Sequence, residues 1–176
     1  TTLARMGQQT KIHFIQSIEN LKRQEIYKIE EQTTQKFAPE VVAVLVGMMK
    51  QTIQSGTAHS LSYRGFTLPA AGKTGTTSDT KDAWFVGFTP YTLTIVWVGY
   101  DDNTPHGLTG ASGALPLWAE FMKNYATQFP ADDFAWPEGT IDFSLTPEQV
   151  RAIIAEPNAA ELEQTSLIFR RGNEPR

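Results

Sequence analysis

Apolar residues follow two spacings along this chain, and each spacing predicts a different kind of element. Ile12 to Ile18 (I-H-F-I-Q-S-I) mixes apolar and β-branched residues and reads as a strand. Glu25 to Glu31 alternates more cleanly, with Ile26 and Ile29 bracketing Tyr27 and Lys28. The polar run Glu19 to Gln24 between them predicts a β-hairpin. Pro39 then stands at a first helical position, where its missing N–H costs nothing. From Val41 to Ile53 apolar residues occupy 41, 42, 44, 45, 46, 48, 49 and 53. That is most of a helix circumference, so the helix is expected to be largely buried. Gly56 is its expected stop, because glycine tolerates the left-handed conformation there.

Three strands are predicted next. The first runs from Thr67 to Thr77; Ala83 to Phe88 (A-W-F-V-G-F) and Leu93 to Tyr100 (L-T-I-V-W-V-G-Y) follow, rich in β-branched and aromatic residues. The short link Thr89-Pro90-Tyr91 requires the last two to pair antiparallel. Asp101 to Gly113 reads as a loop. Ala114 to Phe129 reads as a helix, with Leu115, Trp118, Phe121, Met122 and Tyr125 on one face. From Pro130 the composition turns acidic and irregular. Inside it Thr146-Pro147-Glu148-Gln149 offers an N-cap, a proline at N1 and a glutamine at N3, and Pro157 ends that short helix. The polar tail Asn158 to Arg176 is expected to be loosely held. The fold class is therefore α+β or α/β, an antiparallel sheet with the two long helices packed on it. Residues 1–129 form the main body and 130–176 an acidic, loosely structured extension.

Composition narrows the function classes. Net charge is −4, with both signs interspersed, which leaves no electrostatic footprint for nucleic acid. Cysteine is absent, so disulfides and thiolate metal sites are excluded. No apolar run approaches the roughly 20 residues of a membrane span. The start, Thr1-Thr2-Leu3-Ala4-Arg5, carries neither a secretion signal nor an initiating methionine, as though cut from a longer chain.

The candidate chemistry lies in Ala71 to Thr77, A-G-K-T-G-T-T. K-T-G alone is a weak signal, since any glycine-bearing strand with an exposed lysine could carry it. Its context is more specific: a helix ending in Ser55-Gly56-Thr57-Ala58 precedes it, and D-A-W-F-V-G-F-T-P and W-V-G-Y-D-D follow. With G-A-S-G-A-L-P-L-W (Gly110 to Trp118) and the terminal I-F-R-R-G-N-E-P, these segments resemble the end of the transpeptidase domain of class A, bifunctional penicillin-binding proteins. The resemblance is close from Gly56 to Met122. K-T-G belongs to that group's signature set together with S-x-x-K and S-D-N.

The resemblance implies a serine D,D-transpeptidase that cross-links peptidoglycan stem peptides and is acylated by β-lactams. It acts outside the cytoplasm, anchored by an upstream segment with a glycosyltransferase domain. By the same resemblance the backbone N–H of Thr76 is one oxyanion donor, of a kind worth about 3 kcal/mol where measured in another serine enzyme. Lys73 projects a cation into the cleft. The hydroxyls of Thr74 and Thr76 bind the substrate's terminal carboxylate, and Gly75 and Thr77 complete the substrate-binding strand. An extended peptide can add to such a strand edge, and Gly75 lets it lie close.

The nucleophile is missing. Only Ser78-Asp79-Thr80-Lys81 formally matches S-x-x-K, in a polar turn rather than at a helix start, and no Ser-x-Asn occurs. A serine without an adjacent base is weak. The chain is therefore expected to be one wall of an active site, inactive alone, whose partner is the part of the domain carrying S-x-x-K and S-x-N. The alternative is a non-catalytic binding or assembly module of the same fold. Intact lysine and glycines in the motif favour the first. A sheet face left uncovered by the missing part is expected to expose a large apolar patch.

No metal or other cofactor is implied. His13, His59 and His106 are scattered, without a second ligand at metal spacing. Asp101-Asp102-Asn103 starts like a calcium loop, but Pro105, His106 and Ser112 stand where the loop needs an oxygen ligand, a glycine and the closing glutamate. Trp84, Trp97 and Trp118 are expected in the core, and Trp136 at the surface.

Overall fold

The computed structural model describes residues 2–146, 148–149 and 165–174. The chain opens with two nested antiparallel pairs. β1 (Gln8–Thr10) pairs with β4 (Thr33–Gln35), and β2 (Ser17–Glu19) with β3 (Glu25–Lys28). The predicted hairpin is present, but its first strand is much shorter than Ile12–Ile18. Ile12, Phe14 and Ile15 lie outside any strand, exposed, because none of the described residues covers them. Asn20 closes the turn: its side-chain carbonyl accepts the N–H groups of Lys22 at 2.9 Å and Gln24 at 3.0 Å.

Helix α1 (Pro39–Gln54) begins at Pro39 as expected. It buries Val42, Ala43, Val46 and Gly47 but leaves Val41, Leu45 and Met48 exposed, so it is not largely buried. Those three residues recur at helical spacing and form one open apolar stripe. A 3₁₀ stretch, His59–Arg64, leads to the central sheet. β5 (Ala71–Thr76), β6 (Asp82–Phe88) and β7 (Leu93–Gly99) lie in that order, all antiparallel, with β5 at an edge. The predicted first strand is shortened to β5, since residues 67–70 are not in the ladder.

Strand alternation splits the sheet residues between two faces. Phe85, Ala83, Val96 and Val98 face α2 (Leu115–Tyr125), and pack with Phe66, Leu115, Trp118 and Met122. Trp118 is fully buried and meets Phe85 and Phe66 edge-on, with ring centroids 5.2 and 5.0 Å apart. Its indole N–H donates to the Thr94 carbonyl at 3.2 Å. Gly87 makes room, because a Cβ there would come within 2.8 Å of the Trp118 ring. Truncating so buried an aromatic costs about 3–5 kcal/mol. Ala71, Phe88 and Leu93 face α1, and pack with Val42, Val46, Met49 and Phe134.

The α1 helix covers only part of its face. Trp84 and Trp97, paired across β6 and β7, are 40% and 42% exposed, and Ile95 is 55% exposed. Of the three tryptophans expected in the core, Trp84 and Trp97 are therefore not core, and Trp118 is. Trp136, expected at the surface, is half-buried and stacks on Phe134. Lys50 reaches over both rings and pairs with Asp133 at 2.6 Å, tying the 133–136 segment to α1.

The last predicted helix is subdivided. A π-turn, Gly110–Ala114, precedes α2, and a 3₁₀ turn, Ala126–Gln128, follows it. Beyond it, β8 (Thr140–Leu145) pairs with β9 (Thr165–Arg170). The tail is therefore not loosely held at residues 165–170: Ile168 is buried against Gly47 of α1, and the Gln51 side chain donates to the Ser166 carbonyl at 2.8 Å. The helix predicted after Thr146 falls largely outside the described residues, but the reciprocal cap between Thr146 and Gln149 is present, at 2.9 and 3.3 Å. Among the described residues no helix is long and apolar enough to cross a membrane.

Candidate functional site at the edge of the central sheet

The residues of A-G-K-T-G-T-T form an edge strand, and its hydrogen-bonding phase decides what the edge offers. The Thr77 N–H donates to the Asp82 carbonyl at 3.1 Å, so Thr77 faces β6. In an antiparallel ladder alternate residues face the partner, which directs Lys73 and Gly75 inward as well. The peptide groups of Thr74 and Thr76 therefore face the open edge. Both residues present an N–H and a carbonyl there. The Lys73 ammonium is already at this edge, donating to the Thr74 carbonyl at 2.8 Å.

The two threonine side chains share the α2 side of the strand, and each has an internal partner. Thr76 Oγ1 accepts the Gly110 N–H at 3.0 Å. Thr74 Oγ1 lies 2.8 Å from Thr57 Oγ1. Gly110 can approach because it lacks a side chain: a Cβ there would lie 2.5 Å from the Trp84 carbonyl oxygen and 2.7 Å from that of Gly75. Thr109 and Ser112 cap each other's backbone N–H groups at the head of the same π-turn, at 3.2 and 2.9 Å. Gly75 also has a packing reason to be glycine, since a Cβ there would meet the Trp84 side chain at 3.3 Å.

Thr57 and Gly110 were not singled out from the sequence as site residues. Both lie in segments that carry the family resemblance, but their contacts with the strand arise only from tertiary packing.

Past the strand, Thr77 Oγ1 donates to the Asp82 carboxylate at 3.0 Å and accepts the Asp82 N–H at 2.8 Å. Ser78 to Lys81 is not a turn of α-helix, because Asp79 and Thr80 have φ of 59° and 52°. Lys81 turns to Asp79 at 3.6 Å. Ser78 and Lys81 therefore lack the one-turn helical relation that an S-x-x-K motif requires. Nearby, hydrogen bonds from Thr104 hold the Asp102 carboxyl below the usual carboxylate range. A cavity of about 420 Å³ lies elsewhere, between α1 and residues 59–70, and includes none of residues 73–77 in its lining.

Residues 1–123 match the family described as the penicillin binding protein transpeptidase domain. The chain is 33% identical over 174 residues to penicillin-binding protein 1A of Aquifex aeolicus, covering 98% of this chain and 23% of that protein. It is 34% identical over 145 residues to penicillin-binding protein 1B of Vibrio cholerae, covering 82% of this chain and 18% of that one. The chain thus spans about a quarter or less of the length of these relatives. In fold it is similar to the crystal structure of penicillin-binding protein 1A from Haemophilus influenzae. There the TM-score is 0.78 at 17% identity, over 99% of this chain and 31% of that one.

Proposed function

Since this chain belongs to the penicillin-binding protein transpeptidase family, we propose that it supplies the Lys-Thr-Gly wall of a serine D,D-transpeptidase acting on peptidoglycan stem peptides outside the cytoplasm. The observation that carries the reading is the open edge of β5. Two N–H groups and two carbonyls, of Thr74 and Thr76, face that edge, beside two hydroxyls and an ammonium, on a strand that an extended peptide can join.

Each group has a task in acyl transfer. A serine oxygen from another segment attacks the scissile carbonyl carbon, and the carbonyl oxygen takes on negative charge. The Thr76 N–H donates to that oxygen as it becomes an oxyanion. The C–N bond then breaks, the departing amine takes a proton, and the acyl group stays on the serine. A second stem peptide's amine attacks that ester, releasing the serine and forming the cross-link. A β-lactam enters the same path, but its amine stays tethered to the acyl group. Meanwhile Lys73 and the Thr74 and Thr76 hydroxyls hold the substrate's carboxylate.

The nucleophile and its base come, on this reading, from the part of the domain carrying S-x-x-K and S-x-N. The partly bare sheet face with Trp84, Ile95 and Trp97 supports such a partner, because these side chains leave an apolar surface for a second element to cover.

Fluorescent penicillin tests the proposal on the chain alone and on the chain mixed with a segment bearing S-x-x-K, once association is established. Labelling is expected only in the mixture, on the added segment. Labelling of the chain alone would place a nucleophile among its own serines. No labelling of an associated mixture would leave a non-catalytic assembly module as the better account.

A further inference from the structure

The geometry points to Thr57 as a positioning residue for the carboxylate clamp, an inference that rests on the function proposed above. Helix α1 lies on one face of the sheet, whereas Ala58, four residues after its end, is fully buried in the cluster on the other face. The turn that links them lies against β5. Thr57 is the residue that touches the strand, with its hydroxyl oxygen 2.8 Å from that of Thr74. The turn is fixed from both sides: the Gly56 and Ala58 N–H groups bond back to Gln51 and Thr52 at 3.0 and 2.9 Å.

Proton counting gives the contact its consequence. A hydroxyl has one proton to donate and two lone pairs to accept with. Gly110 N–H can only donate, so its bond to Thr76 Oγ1 leaves the Thr76 proton free for an outside acceptor. The Thr57–Thr74 contact accommodates a proton running either way, and we assign the donor role to Thr57. When Thr57 donates into Thr74 Oγ1, the Thr74 proton is released toward a bound anion, and the two hydroxyls form a chain that ends on the carboxylate. Without Thr57, Thr74 is free to turn its only proton to another acceptor. Thr57 therefore acts through Thr74 and need not touch substrate.

The test uses the assembly that takes up fluorescent penicillin, and compares acylation rates for a penicillin with a free carboxylate and for its methyl ester. Thr57→Val is expected to slow acylation by the carboxylate form about tenfold, the scale of one hydrogen bond to a charged group. The ester should change by less than about threefold, and Thr57→Ser should restore the carboxylate rate. Equal losses for acid and ester would mean that Thr57 only supports the fold, and unchanged rates would mean that Thr74 does not need it; either overturns the inference. Failure of the unsubstituted assembly to label refutes the proposed function instead, so the two failures are distinct.

Discussion

Gly47 sits inside α1 where helix propensity favours alanine by about 1 kcal/mol. If β9 were not docked on α1, Gly47→Ala would stabilise the chain by that amount. In the structure the new Cβ would lie 2.9 Å from Ile168 Cγ1 and 3.0 Å from Ile168 Cβ. Those atoms belong to a β-branched side chain on a paired strand, so the whole strand must shift, and overpacking of this kind costs about 1–3 kcal/mol. The net expectation is a loss of about 0–2 kcal/mol.

Ile168→Ala removes Cγ1 and relieves the worse contact. Alone it destabilises by about 2–5 kcal/mol, because Ile168 is buried. In that background Gly47→Ala should recover part of its propensity gain, giving a coupling of about 1–2 kcal/mol between the sites. Urea unfolding of the four proteins, with the slope m checked for constancy, reads the cycle. Additive effects, with Gly47→Ala stabilising the intact chain by about 1 kcal/mol, would refute the docking of β9 on α1.

Two further outcomes are expected. Gly110→Ala should destabilise the chain by about 2–4 kcal/mol in thermal unfolding, through overpacking and loss of the bond to Thr76. The new Cβ would meet backbone atoms of Trp84 and Gly75, which have no side-chain freedom to yield, and a loss under about 0.5 kcal/mol would contradict that close approach. The Tyr91 hydroxyl donates to Asp132 at 2.6 Å, and this bond to the carboxylate raises the phenol's pKa above its ordinary value. Its stabilising contribution is thus fully present below the unfolded-state pKa and is lost as pH rises through the folded one. Ultraviolet titration against Tyr91→Phe should show one late-ionising phenol, which Asp132→Asn should return toward normal.

The legible parts of the sequence were those whose signals are local. Pro39 at the start of α1, the tight Thr89–Tyr91 link and the apolar, β-branched and aromatic runs along 83–88 and 93–100 each determine an element from neighbouring residues. The Lys-Thr-Gly strand was legible through its flanks as much as its own residues. Burial was read less well, because it depends on what covers an element. Val41, Leu45, Met48, Trp84 and Trp97 carry a core-like pattern, yet they remain exposed. Strand β9 escaped notice for the opposite reason. Its residues, T-S-L-I-F-R, lie in a polar tail, and they form a strand only because β8, far along the chain, offers a partner and α1 a surface. Thr57 and Gly110 were missed for the same cause, since each acts through a contact distant in sequence.

The two sides of β5 differ in a way that bears on the proposed reaction. On the α2 side the strand is finished: Phe85 and Trp118 fill the core, Gly110 lies against the backbone, and Thr57 and Gly110 engage the two threonine hydroxyls. On the α1 side it is unfinished beyond Ala71. Lys73 and Gly75 share that side with Val86, Ile95, Trp84 and Trp97, beyond the cluster that α1 covers. A clamp for a carboxylate needs rigid donors, and the finished side holds them. A nucleophile must approach the scissile carbonyl from where there is room, and the room lies on the bare side, next to the one cation of the strand. On the proposed function, the same asymmetry that leaves Trp84 and Trp97 exposed gives a catalytic partner its place, with its serine brought to the edge that the Thr76 N–H faces.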